Sequence, residues 1–418
     1  MCGMLGEVIC SKQKLIDKDK FISLLNLSKK RGPDSQGYYS NNRGFQFGFN
    51  RLSILDISDN ANQPIHSQSG QYTMLFNGEI YNHKELRETL PTDKYIFKGN
   101  GDTESLISCI EHFGVIETIK KIEGMFAIGI FDHYGRNLHL IRDFAGIKPL
   151  YFGIQKNKLV FSSQYDQIFC HPDFQYLLTP KMESLYDFIQ FGYVPGPNAF
   201  FENTWQVEPG EIVTFDETLK MTKRKYYNYS IDGQNLLETD FQTYEQLDNI
   251  LENTVNRQLI SDVSIGTFLS GGIDSPLISY YAHAKNPNIE TFSIGSNNPV
   301  FDEAESAAFF ANSLNVVNHL HYYSDEDLVN DMEEHFKAFS EPFGDYSSLP
   351  TFQVCKMAKS HFSVILGGDG GDELFWGYPR FHRIANHLSW FNYNFILRRI
   401  GAGFARKLGY NISYGIHE

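Results

Sequence analysis

A chain of 418 residues, 42% of them apolar, is long enough for two or three domains and too apolar to be disordered. Its 36 basic and 50 acidic residues leave a net charge of −14, which argues against nucleic acid or an anionic membrane as the main partner. No stretch approaches the roughly 18–20 apolar residues of a spanning helix. The N-terminus MCGMLGEVICSKQK lacks a secretory pattern, and the five cysteines (Cys2, Cys10, Cys109, Cys170, Cys355) form no CxxC pair; a reduced, cytoplasmic protein is the expectation.

Up to about residue 165 the chain reads as short strands and turns with a few helices. FQFGF (45–49), YTMLF (72–76), MFAIGIF (125–131) and LHLIR (138–142) carry the aromatic and branched residues of strands. Turn chemistry separates them at Asn77-Gly78, at DHYG (132–135) and at QKNK (155–158). Asn82 is placed to cap a short helix, with Glu85 as its capping partner. Asp102 is placed to cap a second helix, whose Leu106, Ile110 and Phe113 share one face before Gly114 ends it.

The composition changes after about residue 215. KMTKRKYYNYSIDGQN (220–235) is polar and reads as part of a linker over 216–240. Strand and helix then alternate. A helix over about 241–259 precedes the strand SIGTFL (264–269), and a Gly-rich turn leads into a helix through Leu277 and Tyr281. IETFSIG (289–295) is the next strand and DEAESAAFFANSL (302–314) the next helix; VVNHLHYY and SVILGG repeat the strand signal. That rhythm implies a mostly parallel sheet flanked by helices.

Met1 is followed by small residues, so its removal is expected to leave Cys2 with both a thiol and a free α-amine. That amine can serve as base for its own thiol, without a histidine. A cysteine at position 2 says little alone. Here RGPDSQG (31–37), NRLSILD (50–56), FNGEIYN (76–82), GDTE (101–104) and RDFAGIKPLY (142–151) follow in order. In this the chain resembles the class II glutamine amidotransferases, an N-terminal-nucleophile family, and within them the glutamine-hydrolysing asparagine synthetases. The resemblance implies Cys2 as nucleophile and an oxyanion hole from the Asn77 side chain and the Gly78 N–H. It also implies Arg51 on the glutamine α-carboxylate, with Asp102 and Glu79 on the α-ammonium. A guanidinium fork suits a carboxylate, and preorganised donors suit a tetrahedral oxyanion. The plainer readings are a hairpin turn for Asn77-Gly78, a surface ion pair for Arg51 and a helix cap for Asp102. Lys30 and Asn50 stand where the family pattern leads one to expect histidine.

FLSGGIDSP (268–276) follows a strand and opens a helix, so its glycines and serines can bring N–H and O–H donors to an anion at a helix N-terminus. It lacks the GK[ST] ending of a Walker loop and resembles the pyrophosphate-binding loop of ATP pyrophosphatases. ILGGDGGDELFWGY (365–378) adds Asp369, Asp372 and Glu373 on one loop. The resemblance assigns ATP to Phe268, Ser270, Gly271, Gly272, Asp274, Ser275, Ile294, Gly367 and Gly368. It assigns Mg²⁺ to Asp274 and Asp372, and places the acidic Asp369 near the reacting centre. Gly367 and Pro276 stand where serines are expected, and proline is sterically acceptable in a first helical turn.

The expected architecture is therefore an α+β N-terminal-nucleophile glutaminase domain (2–215) of antiparallel sheets with helices. A linker (216–240) joins it to an α/β parallel-sheet ATP-pyrophosphatase domain (241–418). Such a family continues further through a helical segment with a catalytic lysine, so the synthetase domain is expected to be incomplete at GYNISYGIHE. The implied partners are glutamine, ATP with Mg²⁺, and aspartate or another small carboxylate, with no nucleic acid and no membrane. A homodimer is left open. The implied activity is amidation of the carboxylate through an acyl-adenylate, with ammonia kept dry on a passage between the halves and RDFAGIKPLY expected to help form their interface. The rival readings are another carboxylate acceptor, such as a surface-sugar acid, and a glutaminase or glutamine-binding protein whose second half is inactive.

Overall fold

The computed structural model describes residues 1–10, 13–41, 44–229, 241–299 and 302–386, and the following statements concern these. No helix is long and apolar enough to cross a membrane. The chain divides into two compact units: Met1–Ile265 with Tyr322–Val364, and Gly266–His321 with the chain from Ile365.

The strands of the first unit are, in chain order, β1 (Gly3–Ile9), β2 (Ser35–Ser40), β3 (Phe45–Arg51), β4 (Ile65–His66), β5 (Tyr72–Ile80), β6 (Gly124–Asp132), β7 (Asn137–Arg142), β8 (Tyr151–Gln155), β9 (Lys158–Ser162), β10 (Thr204–Gln206), β11 (Glu211–Phe215) and β12 (Met221–Lys225). They form two six-stranded sheets, ordered β10-β8-β9-β1-β3-β2 and β12-β11-β7-β6-β5-β4. Neighbours such as β1 and β3, or β5 and β6, run antiparallel. Met4, Phe47 and Phe161 from one sheet meet Leu75, Ala127 and Leu140 from the other in a shared core. The opposite faces of β5 and β6 present Met74, Phe76, Phe126 and Ile128 to the helix Asp102–Phe113. These central strands are buried on both faces, which is why they read as nearly continuous apolar runs. The layering is helix, sheet, sheet, helix, with Lys18–Leu25 covering the outer side of the first sheet.

Several expectations change here. Asn77-Gly78 is no turn: both residues lie inside β5, opposite Ala127 and Phe126. Glycine is required because a Cβ at position 78 would lie 2.2 Å from the Met125 carbonyl oxygen. Asn82 precedes the helix His83–Glu88 without capping it, since its side chain bridges Lys121 O and Glu123 N–H. Asp102 is the first residue of its helix rather than the cap, a place taken by Gly101. Within the expected linker, Met221–Lys225 pairs with β11 as an edge strand, while 230–240 lie outside the described residues. The QKNK turn is a two-residue hairpin in which Lys156 and Asn157 both have positive φ, as strand twist favours.

Part of the first unit comes from far along the chain. Tyr165 N–H donates to Ser340 Oγ at 3.0 Å, Phe200 N–H to Glu341 Oε1 at 3.2 Å, and Gly344 N–H to Gly192 O at 2.7 Å. Glu341 is largely buried, and that burial pushes its carboxyl up to about 7.

The second unit carries β13 (Ile265–Phe268), β14 (Glu290–Ser296), β15 (Val317–Tyr323) and β16 (Val364–Leu366), ordered β15-β14-β13-β16, with β13 and β14 parallel. Helices Asp274–Lys285 and Ala304–Leu314 connect the first three. The order reverses direction between β13 and β16. In open α/β sheets, ligands bind beyond the carboxyl ends of the strands at such a switch point.

Candidate active sites

In the first unit, β1 begins beside the end of β3 and the middle of β5, and this delivers Cys2 to Asn77. The Cys2 N–H donates to Asn77 Oδ1 at 3.0 Å, and Asn77 Nδ2 reaches Ser163 Oγ at 3.4 Å. Asn77 is 1% exposed, so its amide is fixed from both ends. The thiol accepts the Leu52 N–H at 3.3 Å and faces Leu52 O at 3.7 Å. Arg31 Nε donates to Cys2 O at 3.1 Å. Burial is the largest influence on the thiol and raises it; the nearby N-terminal charge and the Leu52 N–H oppose that. Burial pushes the Met1 terminal amine down to about 6.

The Gly78 N–H lies on the same edge of β5 as those of Phe76 and Ile80. These two donate to Gln63 Oε1 at 2.6 Å and to Asp102 Oδ2 at 2.9 Å. β4 pairs with β5 only at Met74 and Thr73, so it stops short of Gly78. The Phe126 N–H and C=O opposite Gly78 are both taken by Asp143. Among the described residues the Gly78 N–H therefore has no hydrogen-bond partner, as a donor waiting for an oxyanion should be.

Two acids share this pocket. Burial, and then the charge of Asp102, raise the Glu79 carboxyl well above its usual range. Asp102, 4% exposed, is pushed up to about 6 by burial despite hydrogen bonds from Ile80 and Thr103. An ammonium between two such acids would restore both to their charged forms. Arg51, 6% exposed, commits its Nη hydrogens to Ser58 O at 2.8 Å, Asn62 Oδ1 at 3.2 Å, Leu55 O at 3.4 Å and Asp56 O. Its role toward a ligand would fall to Nε or require an exchange of those partners. Where histidines were expected, Asn50 donates to Leu25 O at 2.7 Å and Ser28 Oγ at 3.0 Å, and exposed Lys30 pairs with Glu334 at 3.2 Å.

Sequence reasoning quoted RDFAGIKPLY without resolving its parts. Asp143, fully buried, accepts N–H groups from Ala145 at 3.1 Å, Ile147 at 2.9 Å, Lys148 at 2.9 Å and Phe126 at 3.2 Å. Arg142 donates to Lys148 O, Gly146 O and Val207 O at 2.8–2.9 Å. These bonds make the segment an internal clamp that fixes its own loop and ties it to the strand facing Gly78.

In the second unit, β13 ends at Phe268 and the chain turns through Ser270, Gly271 and Gly272 into the helix at Asp274. Ser275 Oγ accepts the Ser270 N–H at 2.8 Å and lies 2.8 Å from Ser270 Oγ; the Gly271 N–H donates to Glu303 Oε2 at 2.9 Å. Pro276 sits in the first turn of that helix without breaking it. The loop after β16 packs onto the same helix start. A Cβ on Gly368 would lie 2.9 Å from both Asp274 Cβ and Ser275 N, and one on Gly371 would lie 2.3 Å from Asp274 Oδ2. Gly370, at φ 90°, makes the turn that lets Gly371–Phe375 become helical. Burial, then Asp372 and Glu373, raise the Asp274 carboxyl. Ile294 lies in β14, and Asp369 follows Gly367 and Gly368. Among the described residues no three acidic, histidine or cysteine groups form a ready metal cage. Mg²⁺ needs only one or two protein carboxylates beside phosphate oxygens, and the mutual repulsion of Asp274 and Asp372 suits a cation.

The Cys2 thiol beside strand donors, and a serine–glycine loop at a sheet's switch point, fit an amidotransferase of the N-terminal-nucleophile fold class followed by an α/β unit. The sequence comparisons agree: residues 1–227 match the glutamine amidotransferase domain family, and residues 246–410 match asparagine synthase. The chain is 34% identical over 382 residues to asparagine synthetase [glutamine-hydrolyzing] 1 of Bacillus subtilis, covering 90% of this chain and 59% of that protein. It is 31% identical over 411 residues to asparagine synthetase 2 of the same organism, covering 93% and 54%. With asparagine synthetase B of Escherichia coli it shares 28% over 405 residues, covering 92% and 66%. The chain thus belongs to the glutamine-hydrolysing asparagine synthetase family, and it spans between about a half and two thirds of the length of these relatives.

Proposed function

We propose that the protein catalyses glutamine- and ATP-dependent amidation of a carboxylate, with aspartate as the acceptor and asparagine, glutamate, AMP and pyrophosphate as products. The observation that carries this reading is the Cys2 thiol beside Asn77 and the unpartnered Gly78 N–H, with the Glu79–Asp102 acid pair close by.

In the amidotransferase half, the Cys2 α-amine takes the thiol proton once Met1 is gone. The thiolate attacks the glutamine side-chain carbonyl, and Asn77 and the Gly78 N–H hold the oxyanion. The amide nitrogen leaves as ammonia after taking the proton, and a water then cleaves the thioester to glutamate. Glu79 and Asp102 receive the α-ammonium, and Arg51 the α-carboxylate. In the other half, Phe268–Ser275, Ile294, Gly367 and Gly368 hold ATP while the acceptor carboxylate attacks its α-phosphorus and expels pyrophosphate. Mg²⁺ between Asp274 and Asp372 would offset the phosphate charge. Asp369 takes a proton as ammonia attacks the acyl-adenylate and AMP departs.

Two results are expected in this half-by-half scheme. Asn77→Ala should lower kcat for glutamate release by about 10²–10³ with little change in KM, because the lost donor serves the transition state. The KM for glutamine should climb as pH falls through about 6, where burial leaves Asp102 protonated and the ammonium loses its counter-charge. A flat KM from pH 5 to 8 would remove the acid pair from the binding role.

The deciding assay follows pyrophosphate and glutamate together, with ATP, Mg²⁺, glutamine and either aspartate or other small carboxylates. Pyrophosphate that depends on aspartate, with asparagine accumulating, supports the acceptor named here. Pyrophosphate with a different carboxylate replaces the acceptor, and glutamate without pyrophosphate restricts the activity to the first half.

A further inference from the structure

Resting on the reading of Cys2 as the glutaminase nucleophile, we infer that Lys148 is a further residue of that site. Its ammonium, carried on a backbone fixed by the Arg142–Asp143 clamp, stabilises the Cys2 thiolate electrostatically.

Lys148 is 6% exposed, an unusual place for a lysine, because burying an ammonium without a counter-charge is costly. The backbone on both sides of it is nonetheless fixed. Asp143 takes its N–H at 2.9 Å and Arg142 takes its C=O at 2.9 Å, so the backbone that carries the side chain is fixed. Asp143 also takes the Phe126 N–H, which ties this loop to the strand facing Gly78. The clamp thus sets Lys148 and the oxyanion donor from one anchor.

Among the described residues the Lys148 ammonium makes no hydrogen bond and no ion pair. Burial lowers its affinity for the proton; among the charges around it, Glu79, Cys2 and Asp143 favour the ammonium and Arg31 opposes it. Arg31 is the other cation near the thiol, but its Nε is committed to Cys2 O at 3.1 Å. Around Cys2, burial and then Glu79 disfavour the thiolate, while the chain-terminal charge, the Leu52 N–H and then Lys148 favour it; of these three, Lys148 is the side-chain cation. A compact ammonium is well suited to this task, since it acts as a point charge and needs no fixed fork geometry. Buried thiols are otherwise inert, and a neighbouring cation is one of the few ways to keep a reactive fraction near neutral pH.

The experiment measures iodoacetamide alkylation of Cys2 from pH 5 to 9, read by mass spectrometry of the N-terminal peptide. Wild type, K148M and K148R are compared as full chains with Met1 loss verified. K148M should move the alkylation midpoint upward by roughly one pH unit and lower glutaminase kcat about tenfold, leaving KM nearly unchanged, and K148R should restore both. An unshifted midpoint in K148M, with wild type releasing glutamate normally, overturns the role of Lys148 and leaves the Cys2 reading intact. A wild type that releases no glutamate removes both. If thermal melting shows K148M to be unfolded, K148Q carries the same comparison.

Discussion

Cys2→Ala is expected to abolish glutamate release, by on the order of 10⁴-fold or more, while synthesis from added ammonia at pH 8 and above continues. The size follows from the lack of a substitute. Cys109 is buried and its thiol is pushed up to about 11, chiefly by burial. Cys170 and Cys355 are exposed on helical or turn segments and lie next to none of the strand donors described at Asn77 and Gly78. The retained ammonia-dependent reaction follows from the separation of chemistry, since no group of the second unit needs the thiol. Glutamate release and pyrophosphate release should be followed in one reaction. Persistent glutamate in the alanine variant would mean that another nucleophile does the hydrolysis.

The converse result is expected of Gly368→Ala: pyrophosphate release falls by about 10² or more while glutamate release is preserved. The new Cβ would stand 2.9 Å from Asp274 Cβ and from Ser275 N, atoms that no side-chain rotation can move. Either the loop after β16 or the start of the helix must shift, and a displacement near 1 Å at a positioning group costs about 10²-fold. Gly371→Ala is milder, because the atom it meets at 2.3 Å is the Asp274 carboxylate tip, which can rotate. That rotation would show as a raised Mg²⁺ requirement rather than as lost turnover. Titration of ATP binding by calorimetry separates the two, and unaltered affinity and turnover in Gly368→Ala would take this loop out of the nucleotide site.

The strands easiest to read in the sequence were those buried on both faces. MFAIGIF and YTMLF sit between two cores, so little besides Thr73 interrupts their apolar run. β2 (SQGYYS), half-buried throughout, and β12 (MTKRK), exposed along its length, carry no such signal and escaped notice. The Asn77-Gly78 pair misleads locally because glycine serves two needs. A turn needs its positive φ, whereas here β5 needs its missing Cβ. Motif order singled out Cys2, Asn77 and Arg51, but it could not show that Arg51 spends its fork mostly on backbone carbonyls or that Asp143 collects four N–H groups. Apart from the Phe126 N–H, those partners lie close along the chain, but they sit in irregular loops, which carry no periodic pattern to read.

Ser340, Glu341 and Gly344 sit within the stretch that matches asparagine synthase, yet they cap N–H and C=O groups of the amidotransferase unit. The boundary along the chain and the boundary in space therefore disagree. Modular engineering of this family inherits that disagreement. A hybrid spliced near residue 240 would leave Tyr165 and Phe200 with orphaned donors and remove the carboxylate facing Tyr151. A graft that carries 322–364 of this chain along with its amidotransferase half keeps those donors satisfied, so what is exchangeable here is a spatial unit sewn from two lengths of sequence.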